Sequence, residues 1–223
     1  MLYYSLNHTA PEVDFREASI RGLAPDDSLY FPSVIPKLSK GWMNDIKNRS
    51  NGEIAYDVIR PFVGKAIPEE VLFKISSETV DMDFPLQRIR EDAFALELFH
   101  GPTLAFKDTG ARFMSRCLAY FFRQSERRLT VLVATSGDTG SAVANGFLGV
   151  EGIDVVILYP SGKVSPMQEL QLTTLGGNIT ALEITGNFDD CQAMVKQAFA
   201  DSYLQKKLIL TSANSINVAR WLP

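Results

Sequence analysis

Four apolar runs in the second half of the chain, residues 129–134, 155–159, 179–184 and 208–210, lack polar alternation. A strand with one wet face alternates, whereas an unbroken apolar run is covered on both faces and belongs to a parallel sheet. Helical patterns separate the runs, at residues 141–148, 166–175 and 189–203. Strands alternating with helices predict an α/β fold, a parallel sheet flanked by helices with right-handed crossovers. Upstream, residues 93–99 read as a further strand. Phe113, Met114, Cys117, Leu118, Phe121 and Phe122 then recur at helical spacing, so that helix packs along one side.

Open parallel sheets bind ligands beyond the carboxyl ends of their strands. Three polar, small-residue loops fall there: residues 135–140, 160–165 and 211–217. Each leads into a predicted helix, where free N–H groups favour carboxylate or phosphate. The hydroxyls of Thr135, Thr139 and Ser215 are candidate extra donors. The glycine loop alone is a weak signal. It lacks the Gly-Lys-Ser/Thr ending of a nucleotide P-loop and the full dinucleotide spacing, and such a run is equally a tight strand-to-helix turn.

Between the strand at 93–99 and the following helix lies His100-Gly101-Pro102-Thr103-Leu104-Ala105-Phe106-Lys107-Asp108. Gly101-Pro102 breaks the strand, and Lys107 stands at the helix start with Asp108 in its first turn. A lysine complements the positive end of a helix poorly. Such a positive potential favours a neutral amine, which is what an imine-forming lysine needs. A solvated surface lysine is the other reading, weakened by Phe99, Leu104, Ala105 and Phe106 around it. Arg220 is either an exposed arginine or a bidentate clamp for an anion.

A net charge of −4 gives no reason to expect nucleic acid or an anionic membrane. Cys117 and Cys191 have no metal-ligand spacing and read as core thiols. His100 and His8 are the only histidines, so neither a metal site nor a histidine triad has support. No run is long enough to span a bilayer and no secretory signal stands at the start, so a cytoplasmic protein is expected. Residues 1–90 form the first predicted region, mainly helical. Short extended pieces lie at 2–6 and 29–32, a helix capped by Asp14 and ended by Gly22 lies between them, and further helices fill 35–80. Pro68 marks a helix start and Pro61 a kink or boundary. Residues 91–223 form the second region, the α/β one.

Taken together, these segments resemble the threonine synthase family, the long microbial and fungal type, within the second fold type of pyridoxal-phosphate enzymes. Residues 99–108 resemble its lysine motif and residues 135–142 its second motif. Residues 159–168 with 175–178 resemble the third, and residues 212–217 with Arg220 the fourth. Four motifs in family order are far more specific than any one of them.

The resemblance implies roles. Lys107 is the lysine that holds pyridoxal 5'-phosphate as an imine, and later moves protons. Asp138 lies near the cofactor ring hydroxyl. Ser136, Gly137 and Thr139 receive substrate carboxylate or phosphate. Asn214, Ser215 and Arg220 hold the substrate phosphate. The implied reaction converts O-phosphohomoserine and water to threonine and phosphate. A phospho-lyase on the same substrate, yielding a keto acid, and a non-catalytic anion-binding module are the alternatives. In this family the cofactor-phosphate loop lies beyond the position of Pro223. The resemblance therefore implies an N-terminal portion, catalytically silent alone, with exposed apolar residues near Phe99, Leu104 and Phe106 that favour self-association.

Overall fold

The computed structural model describes residues 1–223. The chain opens with β1 (Tyr3–Ser5), α1 (Phe15–Arg21) and β2 (Tyr30–Pro32), with β1 and β2 paired antiparallel. Asp14 caps α1 by accepting from the Glu17 N–H at 2.8 Å. Gly22, at φ 76°, ends it where a side chain would be strained. Helices α2 (Lys40–Asp45), α3 (Asn51–Val63) and α4 (Glu69–Thr79) follow. Ser50 and Glu53 form a capping box at the start of α3. Pro61 lies inside α3 and does not bound it.

Next come β3 (Leu86–Arg90) and β4 (Ala93–Leu96), an antiparallel hairpin of its own. The strand expected over 93–99 thus stops at Leu96, and its partner β3 was not expected. Every residue of β3 is exposed, so burial left no apolar signature to read. The hairpin is not part of the parallel sheet.

The α/β unit comprises α5 (Lys107–Phe122), β5 (Leu129–Ala134), α6 (Asp138–Phe147), β6 (Ile153–Pro160), α7 (Pro166–Thr173) and β7 (Ile179–Ile184). It continues with α8 (Phe188–Ala200), α9 (Ser202–Lys207), β8 (Ile209–Ser212) and the short α10 (Val218–Trp221). The helix expected over 189–203 is divided. Asp201 leaves helical geometry and caps α9 by accepting from the N–H groups of Tyr203 and Leu204. The four strands are parallel in the order β7-β6-β5-β8. The expected parallel sheet flanked by helices is borne out.

Alternate residues of the central strands explain why those runs are apolar throughout. Val131, Val133, Val155 and Ile157 enter the main core with α5 and α6. Leu132, Ala134 and Leu158 point the other way, onto Cys191 and Val195 of α8. Burying one such side chain contributes about 1.5–3 kcal/mol, so either face alone is a substantial stabilising layer. The chain winds outward from β5 to β6 and β7, then returns to β8 on the far side of β5. The order therefore reverses between β5 and β8, where the loops leaving them diverge and a crevice opens.

The N-terminal region is fastened to this unit rather than appended to it. Tyr3, Phe15, Ile59 and Leu72 share one core with Phe113, Met114 and Leu118 of α5. The Phe15 ring lies 6.3 Å from that of Phe113 and 6.2 Å from that of Phe121, within the range of favourable aromatic pairs. No helix is long and apolar enough to cross a membrane.

Candidate active site

Lys107 is the first residue of α5, and its ammonium lies 3.5 Å from Oδ2 of Asp138, the first residue of α6. Two helix starts therefore converge. The lysine is a third exposed, sheltered enough to be held yet open enough to react. It lines a cavity of about 430 Å³ together with Thr109, Thr139, Ser215, Arg220 and Phe106. That volume is in the range of small-molecule sites. The cavity lies at the β5–β8 reversal, where an open α/β sheet places its ligands.

Arg220 is 8% exposed, and its Nε has no hydrogen-bond partner. Its Nη1 donates to the Lys107 carbonyl at 3.4 Å. Burial pulls the guanidinium down to about 10, with the Asp108 carboxylate offsetting part of the shift. It therefore remains positive at neutral pH and gives the cavity wall a charge suited to an anion.

The remaining expected residues divide. Gly137, at φ 140°, precedes α6 and is buried against Gln168. Ser136 is exposed and lines neither cavity of this region. Asn214 lines a different cavity, with Ser212, Ile216 and residues of α8 such as Val195 and Lys196. Adjacent residues of one loop thus face opposite sides of the reversal: Ser215 looks toward Lys107, Asn214 toward α8. The Thr135 hydroxyl does not serve as a free donor. It is buried, accepts from the Gly137 and Gly140 N–H groups at 3.0 and 2.8 Å, and donates to the Gly137 carbonyl. The helix expected from residue 216 begins at Val218.

Three residues that carry this geometry were given no role from sequence. Asp108 is buried and accepts from the Thr103 N–H at 2.9 Å and its hydroxyl at 2.5 Å, closing the loop before Lys107. Asn217 is fully buried. Its amide donates to the Ser19 carbonyl at 2.8 Å and the Ser212 carbonyl at 3.2 Å, and its oxygen caps α10. It ties α1, β8 and the helix of Arg220 together. Gln168 donates to Asp138 Oδ1 at 2.7 Å. The only sequence signal for these residues was their place inside the four motifs. His100 pairs with Glu97 at 2.7 Å and stacks on Phe99, a structural arrangement.

Comparison with known proteins agrees with this geometry. The family model for pyridoxal-phosphate dependent enzymes matches residues 83–222. This chain belongs to that family. The model for the threonine synthase N terminus matches residues 2–80. Threonine synthase of Haemophilus influenzae is 45% identical over 222 residues, covering 100% of this chain and 51% of that protein. The crystal structure of threonine synthase from Escherichia coli superposes with a TM-score of 0.91 at 43% identity, covering 100% of this chain and 51% of that one. A pyridoxal-phosphate-bound threonine synthase from Brucella melitensis gives a TM-score of 0.91 at 40% identity, covering 99% and 49%. The resemblance to threonine synthases expected from the four motifs is borne out. The chain spans about half the length of the curated relatives it matches.

The residues present fit the family cofactor, pyridoxal phosphate. An amine suits its aldehyde, and the guanidinium charge on the same cavity wall suits an anionic group.

Proposed function

We propose that this chain supplies the lysine-bearing part of a threonine synthase, which converts O-phosphohomoserine and water to threonine and phosphate. The observation that carries the reading is the Lys107 ammonium at 3.5 Å from Asp138, in a cavity that also presents Thr139, Ser215 and the buried Arg220. When bound, the cofactor supplies an electron sink for carbanion chemistry at the substrate. Lys107 would hold the cofactor through its aldehyde, and its amine would take and return protons at the substrate carbons. Asp138 orients the Lys107 ammonium from 3.5 Å. Arg220 and Ser215, both on the cavity wall, bind the substrate phosphate. Thr139, in the first turn of α6 and on the wall of the same cavity, takes the substrate carboxylate. Asn214, on the α8 side, supports the Ser215 loop.

In this reading residues 1–90 form a mainly helical buttress and residues 91–223 the α/β portion, in a cytoplasmic protein. Phe99, Leu104 and Phe106 are 50%, 70% and 62% exposed. We assign that apolar face to self-association.

The test is borohydride reduction of the full-length protein with pyridoxal 5'-phosphate, followed by peptide mapping. The adduct is expected on Lys107, and Lys107→Ala should lose both adduct and turnover while keeping its fold. Adduct on another lysine, with Lys107 unmodified, would overturn the assignment. Product analysis completes it: threonine supports the synthase, and 2-oxobutyrate would make the protein a phospho-lyase.

A further inference from the structure

Asp138 sits on the first turn of a helix, exposed by half, with no neighbour in its own segment to orient it. A carboxylate so placed rotates freely unless something holds one oxygen. What holds it comes from a different element. Gln168 is the third residue of α7, and its side chain is shared between two helix starts. Its Oε1 accepts from the Ser165 N–H at 3.1 Å, while Ser165 Oγ accepts from the Gln168 N–H at 3.3 Å. This reciprocal cap settles which end of the amide is which. The oxygen is committed to a backbone donor, so the NH₂ is the end left facing Asp138, where it donates to Oδ1 at 2.7 Å. The other oxygen, Oδ2, is then the one presented to the Lys107 ammonium. Gly137 completes the arrangement, because a Cβ there would overlap the Gln168 amide.

We infer that Gln168 is the positioning residue of the site. It is a clamp from the α7 cap that orients Asp138 toward Lys107 and thereby toward the cofactor. The inference rests on the reading that Lys107 carries pyridoxal phosphate. A residue retained only to cap α7 has no need of an amide, since a glutamate at the third position caps equally well.

Gln168→Glu separates the two roles in the full-length protein. Glutamate still accepts from the Ser165 N–H, but it removes the donor to Asp138 and sets two carboxylates together. The expected result is a melting temperature within about 2 °C of the parent, as for other tolerated surface changes. The pH midpoint of the cofactor's visible absorption band should move by at least about one unit, as expected when a neighbouring charge is altered. Gln168→Met, which loses cap and donor together, should alter both stability and spectrum. An unchanged midpoint in Gln168→Glu would overturn the inference.

A cofactor-free measurement keeps this distinct from failure of the functional reading. Exchange of the Gln168 side-chain amide protons should be slow in the parent and released in Asp138→Ala. Free exchange in the parent would end the proposal. Slow exchange, in a parent whose Lys107 takes no cofactor, would support the clamp and count against the proposed function alone.

Discussion

The carboxylate of Asp108, next in the chain to Lys107, closes on Thr103 instead of lining the cavity. It accepts from the Thr103 N–H at 2.9 Å and hydroxyl at 2.5 Å, with the glycine face of Gly101 pressed against it. The loop between is tightly wound, and Leu104 is held at φ 59°, a conformation uncommon for a branched side chain. Asp108 is the anchor that holds that turn and delivers Lys107 to the first position of α5.

Asp108→Ala removes both acceptors and leaves the buried Thr103 N–H without its partner. We expect a loss of about 1–3 kcal/mol, the cost of a buried polar group left short of a partner. Chemical denaturation measures it. Borohydride trapping of cofactor on Lys107 should fall in the same variant below its unfolding midpoint. A variant as stable as the parent would remove Asp108 from this account.

Gly110 gives a second check on how the site is assembled. It lies one turn after Lys107, and a Cβ there would collide with the backbone carbonyl of Arg220. Backbone cannot swing aside as a flexible side chain can, so α5 and α10 must part. Gly110→Ala should cost about 1–3 kcal/mol despite the better helix propensity of alanine. It should also weaken anion binding by displacing Arg220. A gain in melting temperature would contradict the close approach.

Legibility from sequence tracks burial. The central strands β5 and β6 of the parallel sheet are covered on both faces, so their composition alone located them. The caps at Asp14 and Gly22 were readable because each depends on one residue type. Strand β3, the partner of β4, was missed because its residues face solvent and carry Gln87, Arg88 and Arg90 among the apolar ones. Within the site, Lys107 stood out by an unfavourable position and an apolar setting. Asn217 and Gln168 did not, because their partners lie on segments that only the fold brings together: Asn217 and Ser19 are 198 residues apart. Asp108 did not because the irregular turn that returns it to nearby Thr103 has no periodic signature. The division of Asn214 from Ser215 is likewise a consequence of the strand reversal, invisible in a loop read linearly.

The N-terminal region carries a pH-dependent element of its own. Asp26 accepts from the hydroxyls of Ser28, Ser5 and Thr9, which hold its carboxyl well below the usual carboxylate range. A depressed folded-state value means that the unfolded chain binds the proton more readily. The stabilisation is therefore complete above the unfolded value, near about 4, and declines as pH falls toward the folded one. Asp26→Asn should melt lower than the parent at pH 7, and the gap should narrow steadily once pH drops below about 4. Melting curves of both proteins across that range decide it. A gap independent of pH would mean that the hydroxyls do not favour the ionised form.

Arg220 is the residue whose titration bears on the proposed anion site. Its guanidinium is pulled down to about 10 by burial. For a base, a lowered folded-state value costs stability at every pH below it, and that cost is relieved as pH rises through it. An anion bound in the cavity offsets the same cost at neutral pH. Sulfate, whose charge is fixed in this range, is a suitable probe. It should raise the melting temperature of the parent, by about 2.7 kcal/mol of stabilisation at a hundredfold excess over its dissociation constant. The gain should hold from pH 7 to pH 9, since the guanidinium stays charged throughout. Arg220→Met should abolish the gain while leaving sulfate-free stability within about 1 kcal/mol, because a buried charge exchanged for apolar volume is often neutral. Arg220→Lys keeps the charge without the planar fork. It should lower kcat/KM for O-phosphohomoserine by at least about tenfold, on the order of 1.4 kcal/mol. A sulfate effect that survives Arg220→Met would place the anion elsewhere.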